Sequence, residues 1–256
     1  MGELSNAQII PILIHDDIGI GDDIASLIIK SISEKNESLR ENDVVVITHK
    51  IISKAEGKIT DLSRIVPSEQ STKISSDTGK DPRLIELILS QSNEIIKIER
   101  DIIITETKHG FVCANAGIDS SNVGNLSNHV VLLPDNPDES ARRIRNDIKT
   151  RTNMNVSVII SDTFGRPFRK GQVNIAIGIA GMDPLKSYIG KTDMYGNILR
   201  VTEIAIADEI ASAAELVMGK SSRIPVAIVR GCDYMSGDGD SSISKINRSK
   251  KDDLFR

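Results

Sequence analysis

The chain has 256 residues, 39% hydrophobic, 27% charged and only 3% aromatic, with 32 Lys and Arg against 36 Asp and Glu and a formal net charge of −4. That balance describes a soluble chain of one large or two small domains, with a core built from Ile, Leu, Val and Ala. It argues against general affinity for nucleic acid, which needs a basic surface, and against single-strand stacking platforms, which need aromatics.

No run reaches about 18 consecutive apolar residues, so no membrane span is expected. The N-terminal apolar run has no basic region before it, so no secretory signal is expected and the chain reads as cytoplasmic. Cys113 and Cys232 are the only cysteines. Two distant thiols make neither a disulfide framework nor a zinc site, and both read as inert.

In chain order, Ala7–Ile14 predicts a strand that Pro11 confines to an edge or a bulge. Residues 15–21 form a loop, and Asp22-Asp23 opens a helix to about Asn36 with Ile24, Leu27, Ile28 and Ile32 on its apolar face. Asp43–Thr48 is a short buried strand that runs into His49-Lys50-Ile51-Ile52-Ser53-Lys54, with Gly57 as a stop. Titratable and cationic groups at a strand end suit either an anion-binding corner or a solvated turn.

A polar helix is expected from Pro67-Ser68 to about Thr78. A second begins at Asp81-Pro82 and ends near Gln91. Residues 101–105 and 111–114 read as strands joined through Lys108-His109-Gly110. The next segment, Asn115–Asn122, packs Asn, Gly, Asp and Ser around a lone Ile118. If such a loop turns inward, its polar groups need partners, for which a metal or a phosphate would serve.

Val130–Leu133 is a short strand. A helix then starts at Asn136-Pro137-Asp138-Glu139 and runs to about Thr150, with Arg142, Arg143, Arg145 and Lys149 expected on a solvated face. Val156–Ser161 reads as a buried strand delivering Asp162 and Thr163 into a turn made by Phe164, Gly165, Arg166 and Pro167. A carboxylate and a hydroxyl there could hold a divalent cation, or could simply cap the turn.

Val173–Gly181 is an apolar run, Glu203–Gly219 a long helix, and Pro225–Val229 a final core strand. The polar tail over residues 236–256 is expected to fray at its end. No internal repeat or clear linker appears, so 1–256 is read as a single unit without a definable subdomain boundary.

Gly219-Lys220-Ser221 looks like the end of a phosphate-binding P-loop, but position 214 is Ala, and a helix precedes it where the motif needs a strand. Gly19-x-Gly21 lacks the third glycine of a dinucleotide fingerprint. No histidine pair has zinc spacing, and the four histidines define no triad. Carboxylate and hydroxyl chemistry remains: Asp119 and Asp162–Thr163 follow strands on separate segments. Hard oxygen donors imply Mg²⁺ or Mn²⁺, and such ions commonly bridge nucleotide phosphates. From the residues alone this suggests phosphoryl transfer.

Four blocks fall in one order: residues 52–57 (Ile-Ser-Lys-Ala-Glu-Gly); His109-Gly110 through 115–122; Ser161-Asp162-Thr163-Phe164-Gly165-Arg166-Pro167-Phe168-Arg169; and Met218-Gly219 before Ile224-Pro225. Together they resemble the coenzyme F420-0:L-glutamate ligase family, the gamma-glutamyl ligases of coenzyme F420 biosynthesis, over roughly residues 9–235. The resemblance implies an α+β fold of mixed sheets with flanking helices and an intertwined homodimer. It also implies GTP-dependent addition of L-glutamate to coenzyme F420-0, then of further gamma-linked glutamates, with Mg²⁺ or Mn²⁺ at two sites and K⁺ as activator.

By the same resemblance Asp119 and Asp162 match metal ligands, and Thr163 and Lys220 lie at the second metal. Lys54 and Asn122 match nucleotide contacts, with Asp119, Asp162 and Lys54 carrying the catalysis. Further nucleotide-contacting segments are His15-Asp16-Asp17-Ile18, His49-Lys50, and Met218-Gly219-Lys220-Ser221-Ser222-Arg223-Ile224. Two departures stand out. The first loop lacks the common Leu-Pro pattern, and Lys220 sits where an acidic or amide ligand is usual. A protonated Lys cannot coordinate a cation through its side chain, so either its backbone carbonyl serves, or the second metal is held differently, or Lys220 contacts phosphate directly. From their chemistry, Arg166 and Arg169 could clamp carboxylates of a glutamate tail. A metal-dependent nucleotide phosphohydrolase and a non-catalytic nucleotide-binding module are the alternatives.

Overall fold

A computed structural model describes residues 6–120, 128–237 and 241–253. The chain begins with β1 (Gln8–Ile12), α1 (Ile24–Glu34), β2 (Val44–Thr48), α2 (His49–Ala55) and β3 (Ile59–Asp61). It continues with α3 (Glu69–Thr78), α4 (Pro82–Ser90), β4 (Ser92–Glu99), β5 (Ile102–Thr107), β6 (Val112–Ala114) and β7 (His129–Val131). Then come α5 (Pro137–Thr152), β8 (Ser157–Arg166), β9 (Arg169–Ala180), β10 (Lys186–Ser187), β11 (Glu203–Ile204), α6 (Ile206–Met218) and β12 (Val226–Arg230). The result is a mixed α+β architecture with several sheets.

The main sheet has the order β1-β12-β2-β8-β9, in which only β2 and β8 pair in parallel. Its central strands are runs of Val and Ile: Val44–Ile47, Val158–Ile160 and Val226–Ile228 are all fully buried. A strand covered on both faces needs no alternation, which is why these segments read as continuous apolar runs. Pro11 lies on β1 at the sheet edge, where a missing N–H costs no ladder bond.

A second, smaller cluster buries Ile74, Ile85, Ile88, Ile103 and Ala116 between α3, α4 and the sheet β4-β5-β6. Caps set the helix starts. Asp23, Ser68, Asp81 and Asn136 each accept a backbone N–H of the first turn of α1, α3, α4 and α5.

Asp23 also receives Arg151 from the end of α5 at 2.6 Å. That guanidinium, with the Ser26 N–H, holds the Asp23 carboxyl down to about 2. The folded value lies below the ordinary one, so the contribution is full above the unfolded pKa of 3.8 and is lost as pH falls through about 2. Asp23→Ala is expected to cost about 1 kcal/mol at neutral pH, with the gap to the parent closing near pH 2, as read by urea titration at the two pH values.

Several elements differ from the sequence reading. His49–Ala55 is a two-turn helix where a corner was expected. Strand β4 went unrecognised because its Ile95-Ile96 pair breaks the alternation; register shifts at Ser92/Glu94 and Ile95/Lys97 show the bulges responsible. Residues 203–204 pair with β10, so α6 starts at Ile206.

Arg145 is not on a solvated face. Its guanidinium donates to the Val156 carbonyl at 2.8 Å and to Asn155 Oδ1 at 2.6 Å, over Gly181. Ahead of its end the polar tail is anchored: a 3₁₀ turn at Ile243–Ile246 buries Ile243, and Ser242 donates to Asp138 at 2.8 Å. Gly178 is required at its place, because a Cβ there would come within 2.5 Å of Pro137 at the start of α5.

Candidate active site

Three strands of the main sheet put their chemistry at one end. β2 and β8 run parallel and in register to Thr48↔Ser161, so His49 and Asp162 emerge side by side. β12 runs the other way, and its first residues meet the last of β2: Val226 pairs with Ile47, and Thr48 donates to the Pro225 carbonyl at 2.9 Å. The 218–224 loop that precedes β12 therefore reaches the same end.

Asp162 and Thr163 do not sit in a turn. β8 continues through them to Arg166, paired with β9 as a long hairpin whose turn is at Pro167-Phe168. The β-rich, half-apolar hairpin arm extended the strand past the polar residues that looked like its end. The register slips between Ile160↔Gly178 and Ser161↔Ala176. This bulge re-aims the residues after Ser161, a common device beside functional sites.

Asp119 comes from the other sheet system. Its backbone bridges Val131 of β7, with N–H···O distances of 3.0 and 2.8 Å. The segment before it is tied to β8 by Phe111, whose ring meets Phe164 edge-on at 6.2 Å. Cys113 on β6 is buried, and burial, with a smaller contribution from the nearby Asp162 charge, pushes its thiol up to about 12. That thiol is inert at neutral pH, as the sequence suggested.

The two aspartates meet the start of α2 through consecutive residues. Lys50 Nζ lies 2.6 Å from Asp119 Oδ2, and His49 Nε2 lies 3.3 Å from Asp162 Oδ1. The His49 ring is fully buried, its Nδ1 3.3 Å from Ser53 Oγ, and its Nε2 makes no hydrogen bond among the described residues. The ring of His49 is thus turned toward Asp162 and Ser53, inside the fold. Lys54, half-buried, follows one turn after Lys50 on the same side of α2. The loop 15–21 closes on the far end of α2, where the Gly21 N–H donates to the Ala55 carbonyl at 2.8 Å. In it His15, Asp16 and Asp17 are exposed and Ile18 is half-buried, and Asp16 pairs with Lys30 at 3.2 Å. Asn122 lies outside the described residues.

Thr163 heads a second polar group. Its hydroxyl donates to Asn174 Oδ1 at 2.7 Å, and Asn174 Nδ2 donates to Glu215 Oε2 at 2.9 Å. Lys220 Nζ bonds the Thr163 hydroxyl and lies 3.2 Å from Asn174 Oδ1 and 3.4 Å from Glu215 Oε1. In the rest of that loop Gly219, Ser221, Ser222 and Arg223 are exposed, Ile224 is half-buried, and Met218 is core.

The donor sets answer differently to a hard cation. Asp119 and Asp162 keep exposed edges, 32% and 12% of their side chains, and each supplies carboxylate oxygens beside the start of α2. They fit Mg²⁺ or Mn²⁺. Lys220 does not fit as a ligand, since its ammonium offers only donors. Among the described residues no group of three His, Cys, Asp or Glu gathers at one point. Any ion here would draw its remaining ligands from hydroxyls, amides, water or substrate, as Mg²⁺ commonly does.

Arg166 and Arg169 stand apart. Four residues of extended strand separate Arg166 from Asp162, about 13 Å along β8. Arg166 lines a concavity of about 600 Å³ with Glu203, Asp208 and Glu209. Neither aspartate lines that concavity. Asp208, half-buried and accepting the Ala176 N–H, is raised above its usual value by desolvation. Signals the sequence reading missed are Asn174 and Glu215, which carry no motif and converge only through the β9–α6 packing.

No helix among the described residues is long and apolar enough to cross a membrane. Residues 13–231 match the family described as F420-0:Gamma-glutamyl ligase. The Coenzyme F420:L-glutamate ligase of Methanothermobacter thermautotrophicus is 46% identical over 240 residues, 93% of this chain and 94% of that one. That of Methanocaldococcus jannaschii is 46% identical over 219 residues, 85% and 86% of the two chains. That of Methanopyrus kandleri is 41% identical over 259 residues, covering both chains in full.

Proposed function

We infer, because the chain belongs to the F420-0:gamma-glutamyl ligase family, that it is a coenzyme F420:L-glutamate ligase of coenzyme F420 biosynthesis, and we propose that GTP drives it through an acyl phosphate. The observation that carries this reading is the pair Asp119 and Asp162 held against consecutive residues Lys50 and His49 at the end of the main sheet.

An amide does not form from a free carboxylate unless the departing oxygen becomes a good leaving group. In the proposed sequence, a carboxylate oxygen of the acceptor attacks the γ-phosphorus of GTP, and the bond to the β-phosphate oxygen breaks, releasing GDP. The glutamate amine then attacks the acyl carbon. Phosphate departs with the C–O electron pair, and the amine proton is lost to solvent. Further glutamates would join by the same two steps at the gamma-carboxylate.

Such a transfer spreads negative charge over the moving phosphoryl group, so fixed positive charge does most of the catalysis. Lys54 supplies it from α2, and the loops 15–18 and 218–224 close the nucleotide site from the two flanks. Asp119 and Asp162 would hold Mg²⁺ or Mn²⁺, which would supply positive charge for the phosphates. Lys50 neutralises and positions Asp119, and the buried His49 backs Asp162. K⁺ as activator belongs to the same proposal, as does an intertwined homodimer. Exposed Ile189, Met194, Tyr195, Ile198 and Val201 give a second copy an apolar surface to cover.

The test is GDP release with each substrate omitted in turn. Release is expected only with GTP, a divalent ion, L-glutamate and coenzyme F420-0 together, and heavy oxygen placed in the acceptor carboxylate should appear in the phosphate. Release indifferent to glutamate and acceptor would make the protein a nucleotide phosphohydrolase. Saturable GTP binding without turnover would make it a nucleotide-binding module.

A further inference from the structure

The oxygen cluster around Thr163 has a property that the Asp119–Asp162 pair lacks. Its members come from three elements: Thr163 from β8, Asn174 from β9 and Glu215 from α6. Asn174 is only 3% exposed. Its orientation is fixed from behind, because its Nδ2 donates to Glu215 Oε2 at 2.9 Å and its Oδ1 must then face outward. Thr163 uses its only proton on that Oδ1, at 2.7 Å, which leaves the hydroxyl oxygen as an acceptor. With the second carboxylate oxygen of Glu215, three acceptors and one formal negative charge point at a single spot. Thr163 answers one lone pair of the Asn174 oxygen; the remaining lone pairs and the Glu215 charge suit a cation in front of them.

The chain fills that spot itself. Lys220 Nζ hydrogen-bonds the Thr163 hydroxyl and stands 3.2 Å from Asn174 Oδ1 and 3.4 Å from Glu215 Oε1. Three acceptors match the three donors of an ammonium. Gly219, at positive φ with extended ψ at the end of α6 (φ +58°, ψ −174°), a conformation essentially open only to glycine, turns the chain so that residue 220 can reach back across Glu215 to β8.

We propose that Lys220 is a tethered cation: its ammonium occupies an oxygen site that would otherwise take a free metal ion, and excludes a divalent ion from it. The site then carries its positive charge permanently on Thr163, the residue that follows Asp162 on β8. This departs from the two-ion expectation and rests on the proposed ligase reading only for the ion at Asp119 and Asp162, not for the lysine site itself.

The test is Mn²⁺ binding to the whole chain, counted by calorimetry and by loss of free-ion electron paramagnetic resonance signal, for the parent, Lys220→Met and Lys220→Gln. Thermal melting checks that each variant is folded; the position is exposed, so both should be. The parent is expected to hold no Mn²⁺ at Thr163, Asn174 and Glu215. Lys220→Gln, which removes the ammonium and adds an amide oxygen, is expected to bind one more Mn²⁺ per chain than the parent. Lys220→Met should gain the same ion more weakly. Anomalous diffraction from Mn²⁺-soaked crystals of each should place the added ion on Thr163 Oγ1 and Asn174 Oδ1.

An anomalous peak on those atoms in the parent, with Lys220 displaced, would overturn the proposal. So would unchanged stoichiometry in both variants. A parent that binds no Mn²⁺ anywhere, with a variant that gains one at Thr163, would uphold the tethered cation and count against the metal at Asp119 and Asp162 instead.

Discussion

Asp162→Asn is expected to leave the fold intact and lower glutamate-dependent GDP release by at least about a hundred- to a thousandfold, the scale seen when one preorganised charge-handling group is removed. The side chain keeps its shape, so packing is preserved and only its charge is lost. Position 162 is the first polar, half-exposed site after the buried run of β8, and its carboxylate faces the His49 ring at 3.3 Å. An amide there retains one neutral acceptor oxygen, which cannot hold a hard divalent ion as a carboxylate does. Steady-state rates at saturating Mn²⁺, with circular dichroism to confirm folding, decide the matter. A variant with near-parental rates would remove Asp162 from the site.

Arg230→Met is expected to cost about 3–5 kcal/mol of stability, the usual range for orphaning one partner of a buried ion pair. Asp43 is 1% exposed, and Arg230 meets it two-pronged, Nε to Oδ1 at 2.9 Å and Nη2 to Oδ2 at 2.8 Å. A third bond from the same guanidinium satisfies the Ser38 carbonyl at 2.8 Å. Removing the guanidinium leaves a carboxylate buried with only the Arg40 N–H to answer it. Urea unfolding should show a lower midpoint with an unchanged slope. The pair stands at the start of β2 and the end of β12, the opposite end of the sheet from Asp162. The rate per folded molecule should therefore stay near the parent's. A loss under about 1 kcal/mol would mean that water or a neighbour repairs the gap.

Much of this architecture was legible from residue patterns. Buried Val and Ile runs marked β2, β8 and β12, and capping residues marked the starts of α1, α3, α4 and α5, because both signals are local. The edge position of β1 followed from Pro11. What escaped was set by contacts between distant segments. β4 carries bulges that dephase its alternation, and β10 and β11 are too short to show a period. Arg145 looks like any surface arginine until α5 packs over Asn155 and Val156.

The candidate site divides the same way. Asp119, Asp162 and Thr163 could be singled out as hard oxygen donors after apolar strands, although a turn cap explained Asp162 and Thr163 equally well until the family resemblance joined them. Asn174 and Glu215 could not, since they look like ordinary polar positions on a strand and a helix. The burial of His49 was not legible either: a histidine at a strand end suits an anion-binding corner or a solvated turn, and only the packing of α2 puts the ring behind Asp162. The arginines after Thr163 seemed adjacent to the carboxylates because a turn was expected there. The continuing hairpin carries them away.

The most direct measurement is the mass of the acceptor after incubation with the protein, GTP, Mn²⁺ and L-glutamate. The account predicts coenzyme F420-0 heavier by one or more glutamyl residues, with one GDP formed for each residue added and no product when glutamate is withheld. GDP accumulating while the acceptor mass stays unchanged would contradict it.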